Sequence, residues 1–444
     1  ASPWPSRVAC VMIPRPISPI PLTAERSPWL RGPMRLPGDP VASALALLLA
    51  AMARGESVIE NLSSGPEAMA VLAVLRTLGP NFAERSGRWH VQGIGTGGFL
   101  TPSAPLDLSG AGAAAPLLLG LLGAHDFETE LRQVAALPMS EALLDFIRRG
   151  GGRAERTGDN VRLRAPRFGI PLDLALSSEA HGLVAPLLLH ALVIAGTSTL
   201  HLPVGLHDPA EALLALFGAK LGAETTDEVT RLTIHGMAPL RAQALAVSGD
   251  PRLAAFPAVA ALIAPDSEIV ISAVTLQPGG LGLLDALALL GGDIAIGDAR
   301  HGAADVTVRH SPLTGTTLPA DLGIAPDDYP ILAIAAAFAE GETLLDGLGE
   351  GVRRLALTRA LRANGIDCIE QAGGLLIRGK PRVPGGGNIA TRLDPKLAMA
   401  FLVLGMATDQ PVTIDDGAVM ADLFPGFADA FEHVGASFAA GNLA

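Results

Sequence analysis

The feature that most constrains this chain is a helix that is apolar on every side and keeps returning. Ala44 to Arg54, Ala111 to Ala124, Leu183 to Ala195 and Ile331 to Ala339 are built almost wholly of Ala, Leu, Val and Ile, and a helix without a polar face must be enclosed by other elements. Each apolar helix follows a polar or glycine-containing turn. The turns lie at Pro37-Gly38-Asp39, Ser109-Gly110-Ala111-Gly112, Ser177-Ser178-Glu179, Ser248-Gly249-Asp250, Asp327-Asp328 and Asp394-Pro395. Their spacing of roughly 65–80 residues reads as six copies of one supersecondary unit. In the first copy, a strand at Ser57 to Asn61, an amphipathic helix at Glu67 to Leu78 and a strand at Trp89 to Gln92 follow the apolar helix. The fifth copy repeats that order with Glu342 to Leu345, Arg353 to Asn364 and Leu375 to Arg378. Three units place three helices inside a shell of sheets, so six units predict an α/β protein of two domains.

Composition agrees with a buried interior and narrows the partners. The 444 residues are 49% hydrophobic but only 4% aromatic, so the core is aliphatic and disorder over most of the length is excluded. A net charge of −12 argues against nucleic acid or a membrane surface as the partner. The apolar runs stop well short of the about 18 residues that span a bilayer. Pro3, Pro5, Pro14, Pro16, Pro19 and Pro21 break any signal-peptide core, and residues 1–19 read as an extended or disordered leader. Cys10 and Cys368 form no disulfide framework, and the ten histidines have no metal-ligand spacing. The expectation is a cytoplasmic monomer without a metal.

The surface shared by all six units is the set of turns at the apolar helix starts. Unpaired N–H groups and the helix dipole favour an anion there. Several starts converging on one cleft therefore suit a phosphorylated or carboxylated small molecule.

At these turns the chain resembles the 5-enolpyruvylshikimate-3-phosphate (EPSP) synthase family. The resemblance is carried by Leu36-Pro37-Gly38-Asp39, Gly55-Glu56-Ser57, Ile59-Glu60-Asn61-Leu62, Leu106-Asp107-Leu108, Ser177-Ser178, Gly249-Asp250-Pro251, Asp327-Asp328-Tyr329-Pro330, Leu393-Asp394 with Ala398-Met399-Ala400-Phe401, and Phe424-Pro425. It runs from about residue 20 to the C-terminus in register across all six units. The family implies a two-domain inside-out α/β barrel, with residues 38–247 in the first domain and 20–37 plus 248–444 in the second. It also implies a transferase closing over shikimate 3-phosphate and phosphoenolpyruvate (PEP), in the route to chorismate and the aromatic amino acids, without a cofactor. A substrate hydroxyl adds to the enolpyruvyl carbon and phosphate is then eliminated. Carried over position by position, Asp327 contacts the ring hydroxyl and accepts a proton, and Glu350 is the acid/base carboxylate. Arg353 and Lys396 hold PEP, and Ser177 and Ser178 hold phosphate.

The sequence departs from the family where charge matters most. Pro40, Val41 and Leu45 stand where the family has Lys, Ser and Arg; Gly110 and Ala113 replace Asn and Thr, and Leu137 replaces Arg. Glu179 replaces a Gln, Pro203 and Leu206 replace further substrate contacts, and Gly349, Pro395 and Asp422 stand where Lys, His and Lys are expected. A charged hydrogen bond contributes roughly 1.5–3 kcal/mol, so losing four or five removes on the order of 10 kcal/mol. A micromolar ligand has about 8 kcal/mol in total. The ordinary reaction is therefore expected to be weak or lost unless other arginines, such as Arg132, Arg354 or Arg359, enter the site. Two alternatives stand beside it: a same-fold enzyme acting on a less anionic substrate, and a non-catalytic metabolite-binding paralogue.

Overall fold

The computed structural model describes residues 19–134, 139–166, 168–206, 208–276, 281–349 and 351–441. Twelve α-helices alternate along these residues between inner and outer positions. In the N-terminal half they are α1 (Pro40–Met52), α2 (Pro66–Thr77), α3 (Ala115–Leu122), α4 (Ser140–Arg149), α5 (Val184–Val193) and α6 (Ala210–Leu216). In the C-terminal half they are α7 (Ala255–Ile263), α8 (Gly282–Leu289), α9 (Tyr329–Phe338), α10 (Val352–Ala363), α11 (Pro395–Gly405) and α12 (Phe427–His433). The odd-numbered helices are the apolar ones. Every residue of α3 and α7 is buried, as is all of α5 except Val193 and all of α9 except Phe338.

Close packing of these helices rests on small residues. A Cβ on Gly120 of α3 would lie 2.3 Å from the Pro186 carbonyl oxygen of α5, so only glycine lets the two helices cross so near. Helix α1 begins four residues before the apolar run suggests, because Asp39 caps it through the Ala42 N–H at 2.7 Å and Pro40 suits the first turn. It ends at Met52, where Ala53 already belongs to the strand Ala53–Glu60.

Six sheets surround the helices, each built on one plan. In the second unit, the short strand Leu106–Asp107 runs parallel to Glu128–Arg132, which pairs antiparallel with the hairpin strand Asn160–Arg164. Two sheets obtain their short strand from a distance. Leu240–Arg241 and Ala244–Ala246 pair with Ala53–Glu60, whereas Arg31–Arg35, earlier in the chain, pairs with Glu268–Thr275. The chain therefore crosses twice between two bodies. Their buried side chains form separate clusters, one from Ala44 to Val247 and the other from Ala24 to Leu36 with Leu253 to Val434. We call these the first and second lobes.

At the crossing the two connections lie side by side. Asp39 N–H donates to the Ser248 carbonyl at 2.8 Å, and Asp250 N–H donates to the Pro37 carbonyl at 3.0 Å. Asn61 ties both connections together, its side-chain amide donating to the Leu36 and Val247 carbonyls at 3.0 and 2.9 Å. A Cβ on Gly38 would lie 2.0 Å from the Asn61 carbonyl oxygen, so only glycine fits before Asp39 at the crossing.

Candidate active site in the interlobe cleft

Beside the crossing, the starts of α7, α9 and α11 meet those of α1 and α2 around a cleft of about 870 Å³. Four charged groups on the second-lobe side form a closed set. Lys396 lies 2.9 Å from Asp327 Oδ2 and also contacts Asp328 Oδ1. Arg252 spans the same two acids, with Nε 2.8 Å from Asp328 Oδ2 and Nη2 2.9 Å from Asp327 Oδ1. Lys396 and Asp328 have only 7% and 4% of their side chains exposed, against 34% for Asp327. Arg252, 43% exposed, and Asp327 are thus the members that open most to the cleft, which Lys396 also lines.

Backbone geometry explains why these groups converge. Asp328 occupies the cap position of α9 but makes no side-chain cap bond, and its carboxylate turns to the cations instead. Asp394 does cap α11, accepting from the Lys396 and Leu397 N–H groups at 3.0 and 3.1 Å. That cap offsets the misfit of a cation at a helix start. Arg392 and Leu393 just before it have φ of 53° and 62°, a left-handed pair without glycine that aims the turn at the cleft. Arg353, half-exposed on the first turn of α10, donates from Nε to Asp394 Oδ2 at 3.0 Å.

Electrostatics follow from the same contacts. Burial alone would raise the Asp327 pKa, but Lys396 and then Arg252 outweigh it and hold the carboxyl below its usual range. Asp250 is raised, chiefly by burial. Asp39, its counterpart at the start of α1, is raised to about 7, by burial first and then by the charge of Asp250. Among the described lining residues, Glu67, Asp250, Asp327, Asp394 and Asp422 face Arg252, Arg353, Arg392 and Lys396. With five carboxyl groups against four cations, the cleft holds no surplus of positive charge.

The first-lobe side is different in kind. Pro40, Ser64, Pro66, Glu67 and Met69 line it, and none carries a positive charge. Ser64 reaches across the mouth, its Oγ 3.5 Å from the Asp422 carbonyl.

Of the expected site residues, Asp327, Arg353 and Lys396 come together in this cleft. Ser177, Ser178 and Glu179 lie exposed on the turn that leads into α5 and line neither this cleft nor the smaller cavity of the first lobe. Glu350 and Leu137 lie outside the described residues, as do residues 1–18. The other arginines stay away: Arg132 lies beside Glu130, Arg354 pairs with Glu370, and Arg359 is not among the lining residues. The cleft instead gains Arg252 and Arg392, which sequence reasoning missed. Arg252 had one legible signal, a cation directly after the Gly-Asp-Pro turn where a helix start disfavours it. Nothing in the sequence marks Arg392. Among the described residues, no group of three or more His, Cys, Asp or Glu is placed to hold a metal ion, and no helix is long and apolar enough to cross a membrane.

Residues 25–431 match the family described as EPSP synthase (3-phosphoshikimate 1-carboxyvinyltransferase). The chain is 38% identical over 436 residues to a 3-phosphoshikimate 1-carboxyvinyltransferase of Chelativorans sp. (strain BNC1), covering 94% of this chain and 97% of that one. It is 37% identical over 438 residues to one of Pseudomonas sp. (strain PG2982), with 94% and 97% covered. Its fold is similar to that of EPSP synthase from Acinetobacter baumannii, with a TM-score of 0.77 at 26% identity over 95% of this chain and 100% of that one. The enolpyruvyl transferase NikO from Streptomyces tendae shares the fold, with a TM-score of 0.67 at 21% identity over 95% of this chain and 99% of that one.

Proposed function

The chain belongs to the EPSP synthase family, and from that premise we propose that it keeps one wall of a carboxyvinyl transferase and has lost the other. Transfer of the enolpyruvyl group from PEP to shikimate 3-phosphate is then weak or absent. The observation that supports this is the contrast across the cleft. Asp327 stands between Lys396 and Arg252 on one side, and Pro40, Pro66 and Met69 stand on the other. We further propose that the two lobes are domains, residues 38–247 and residues 20–37 with 248–444, which close on the bound molecules.

In this proposal Asp327 accepts the proton of an attacking hydroxyl, and Lys396 and Arg353 face the carboxylate and phosphate of PEP. Two things weaken the reaction. The cations that lower the Asp327 pKa make it a poorer base. The cations that would hold PEP are also already paired, Arg353 with Asp394 and Lys396 with both Asp327 and Asp328. An incoming anion must displace those partners before it gains a charge-assisted bond. A second reading, an acceptor with less charge, is favoured by the aliphatic residues Val41, Leu45 and Ala113 at the starts of the first-lobe helices.

The test is phosphate release with shikimate 3-phosphate and millimolar PEP, beside an ordinary family member and the Asp327→Ala variant. The expected kcat/KM lies about a thousandfold or more below the ordinary enzyme, the scale of about 4 kcal/mol from two or three lost charged hydrogen bonds. Release at the ordinary rate that disappears in Asp327→Ala would overturn the proposal.

A further inference from the structure

A second cavity, of about 210 Å³, lies in the first lobe beside the cleft. The two adjoin at the start of α1, where Pro40 lines the cleft and Val41 lines the cavity. Its walls are aliphatic, with Val41 and Leu45 of α1, Ala113 before α3 and Leu117 within α3. Two ionisable groups enter it, Asp208 and His181. Three inner helices start around this space, which by itself would draw an anion. The protein's own carboxylate already answers two helix starts. Asp208 accepts from the Ala210 N–H of α6 at 2.8 Å and from the Ala185 N–H of α5.

Size and charge then select the occupant. A cavity of about 150 Å³ holds benzene, whereas complete ligand sites run from about 300 to 1,000 Å³. The cavity therefore takes one ring rather than a whole pair of substrates. A phosphate here would lose hydration against Val, Leu and Ala and meet the Asp208 carboxyl, without a described Lys or Arg in the lining. A hydroxyl does better, because it donates to Asp208 while its ring covers the aliphatic walls. Burial, which raises the Asp208 pKa to about 6, keeps that carboxyl ready for a neutral partner.

We propose that this cavity is the acceptor subsite of the cleft and takes an uncharged, ring-sized alcohol with one hydroxyl donating to Asp208. The proposal rests on the reading above that the first-lobe wall no longer holds a phosphorylated acceptor. The probe is 4-fluorobenzyl alcohol, followed by ¹⁹F NMR titration of the full chain, with 4-fluorobenzoate as its anionic counterpart. Saturable binding of the alcohol is expected. Binding should be about tenfold or more weaker for the benzoate, and weaker by a similar factor in Ala113→Phe, a shift of about 1.4 kcal/mol or more. Ala113 is exposed at its turn, so the phenylalanine fills the cavity without entering the core. Asp208→Asn should narrow the gap between alcohol and benzoate.

Three results overturn the proposal: no saturable binding to folded protein, equal binding of the benzoate, or binding untouched by Ala113→Phe. Phosphate release from PEP and shikimate 3-phosphate is run on the same preparation. No alcohol binding with little release removes the subsite and leaves the functional reading standing. Rapid release removes the functional reading, and with it the acceptor role of the cavity, whatever the alcohol does.

Discussion

The two lobes use one architectural unit six times, yet the helix starts they bring to the cleft differ in kind. Asp39 and Asp250 show it most directly. Each follows a glycine at the crossing; Asp39 caps α1, and Asp250 opens the turn that leads into α7. Asp250 has Arg252 and Lys396 near it. Asp39 is pushed up to about 7, by burial first and then by the charges of Asp250 and Glu67. The pattern that folds a lobe is therefore separate from the charges that equip it. Aliphatic helices and Gly-Asp turns are present in both, whereas cations at the cleft come from the second lobe alone among the described residues.

The strongest way to break the comparison is to remove a cation from the charged side. Lys396→Met leaves the buried carboxylate of Asp328 with Arg252 alone, and losing one partner of a buried pair costs about 3–5 kcal/mol. Urea unfolding should show the loss, largely relieved in the double variant Lys396→Met, Asp328→Asn. An unchanged midpoint would mean that the quartet is screened by water.

The opposite change adds a cation to the bare side. Pro40 half-faces the cleft on the first turn of α1, so Pro40→Lys should fold with a stability change within about 0.5 kcal/mol. It should tighten PEP binding about tenfold, the effect of one charged hydrogen bond of roughly 1.5 kcal/mol. No gain at low salt would show that the lobes differ by more than charge.

The smallest effect tests the cap of α1 by pH. A carboxyl whose folded pKa is raised favours the folded state below its unfolded pKa near 4, and that contribution is lost as pH rises through about 7. Asparagine caps as well as aspartate does. Asp39→Asn should therefore raise the melting temperature at pH 8 and leave it nearly unchanged at pH 4. Burial raises Asp250 as well, with Arg252 and Lys396 acting against it, so Asp250→Asn should shift stability with pH in the same direction. A melting temperature unchanged by Asp39→Asn at pH 8 would contradict the raised Asp39 pKa.

The helices were legible because burial on all sides leaves only aliphatic residues: α3 and α5 lie within the apolar runs at Ala111 and Leu183, and α9 starts two residues before the run at Ile331. Their edges were less so. The start of α1 depends on an Asp-Pro cap rather than on hydropathy, which placed the helix four residues late. At the site, Asp327, Arg353 and Lys396 were legible through the family pattern, and their partners were not. Asp328 sits where a helix cap is expected, but the attraction of two cations wins over the local backbone bond. Arg353 has a neighbour three residues away at Glu350, yet it reaches Asp394, 41 positions on, because the turn before α11 folds back beside α10. Long-range pairing of this kind leaves no periodic trace in the chain.

A first-lobe wall without a cation should no longer hold a polyanion. Isothermal titration calorimetry with shikimate 3-phosphate, at low and at physiological salt, tests it without requiring turnover. The heats expected in wild-type protein are too weak for a dissociation constant tighter than about 1 mM, equivalent to about 4 kcal/mol. Saturation in the micromolar range, weakening steeply with salt, would contradict it by showing that the cleft still gathers the cations a phosphorylated acceptor needs.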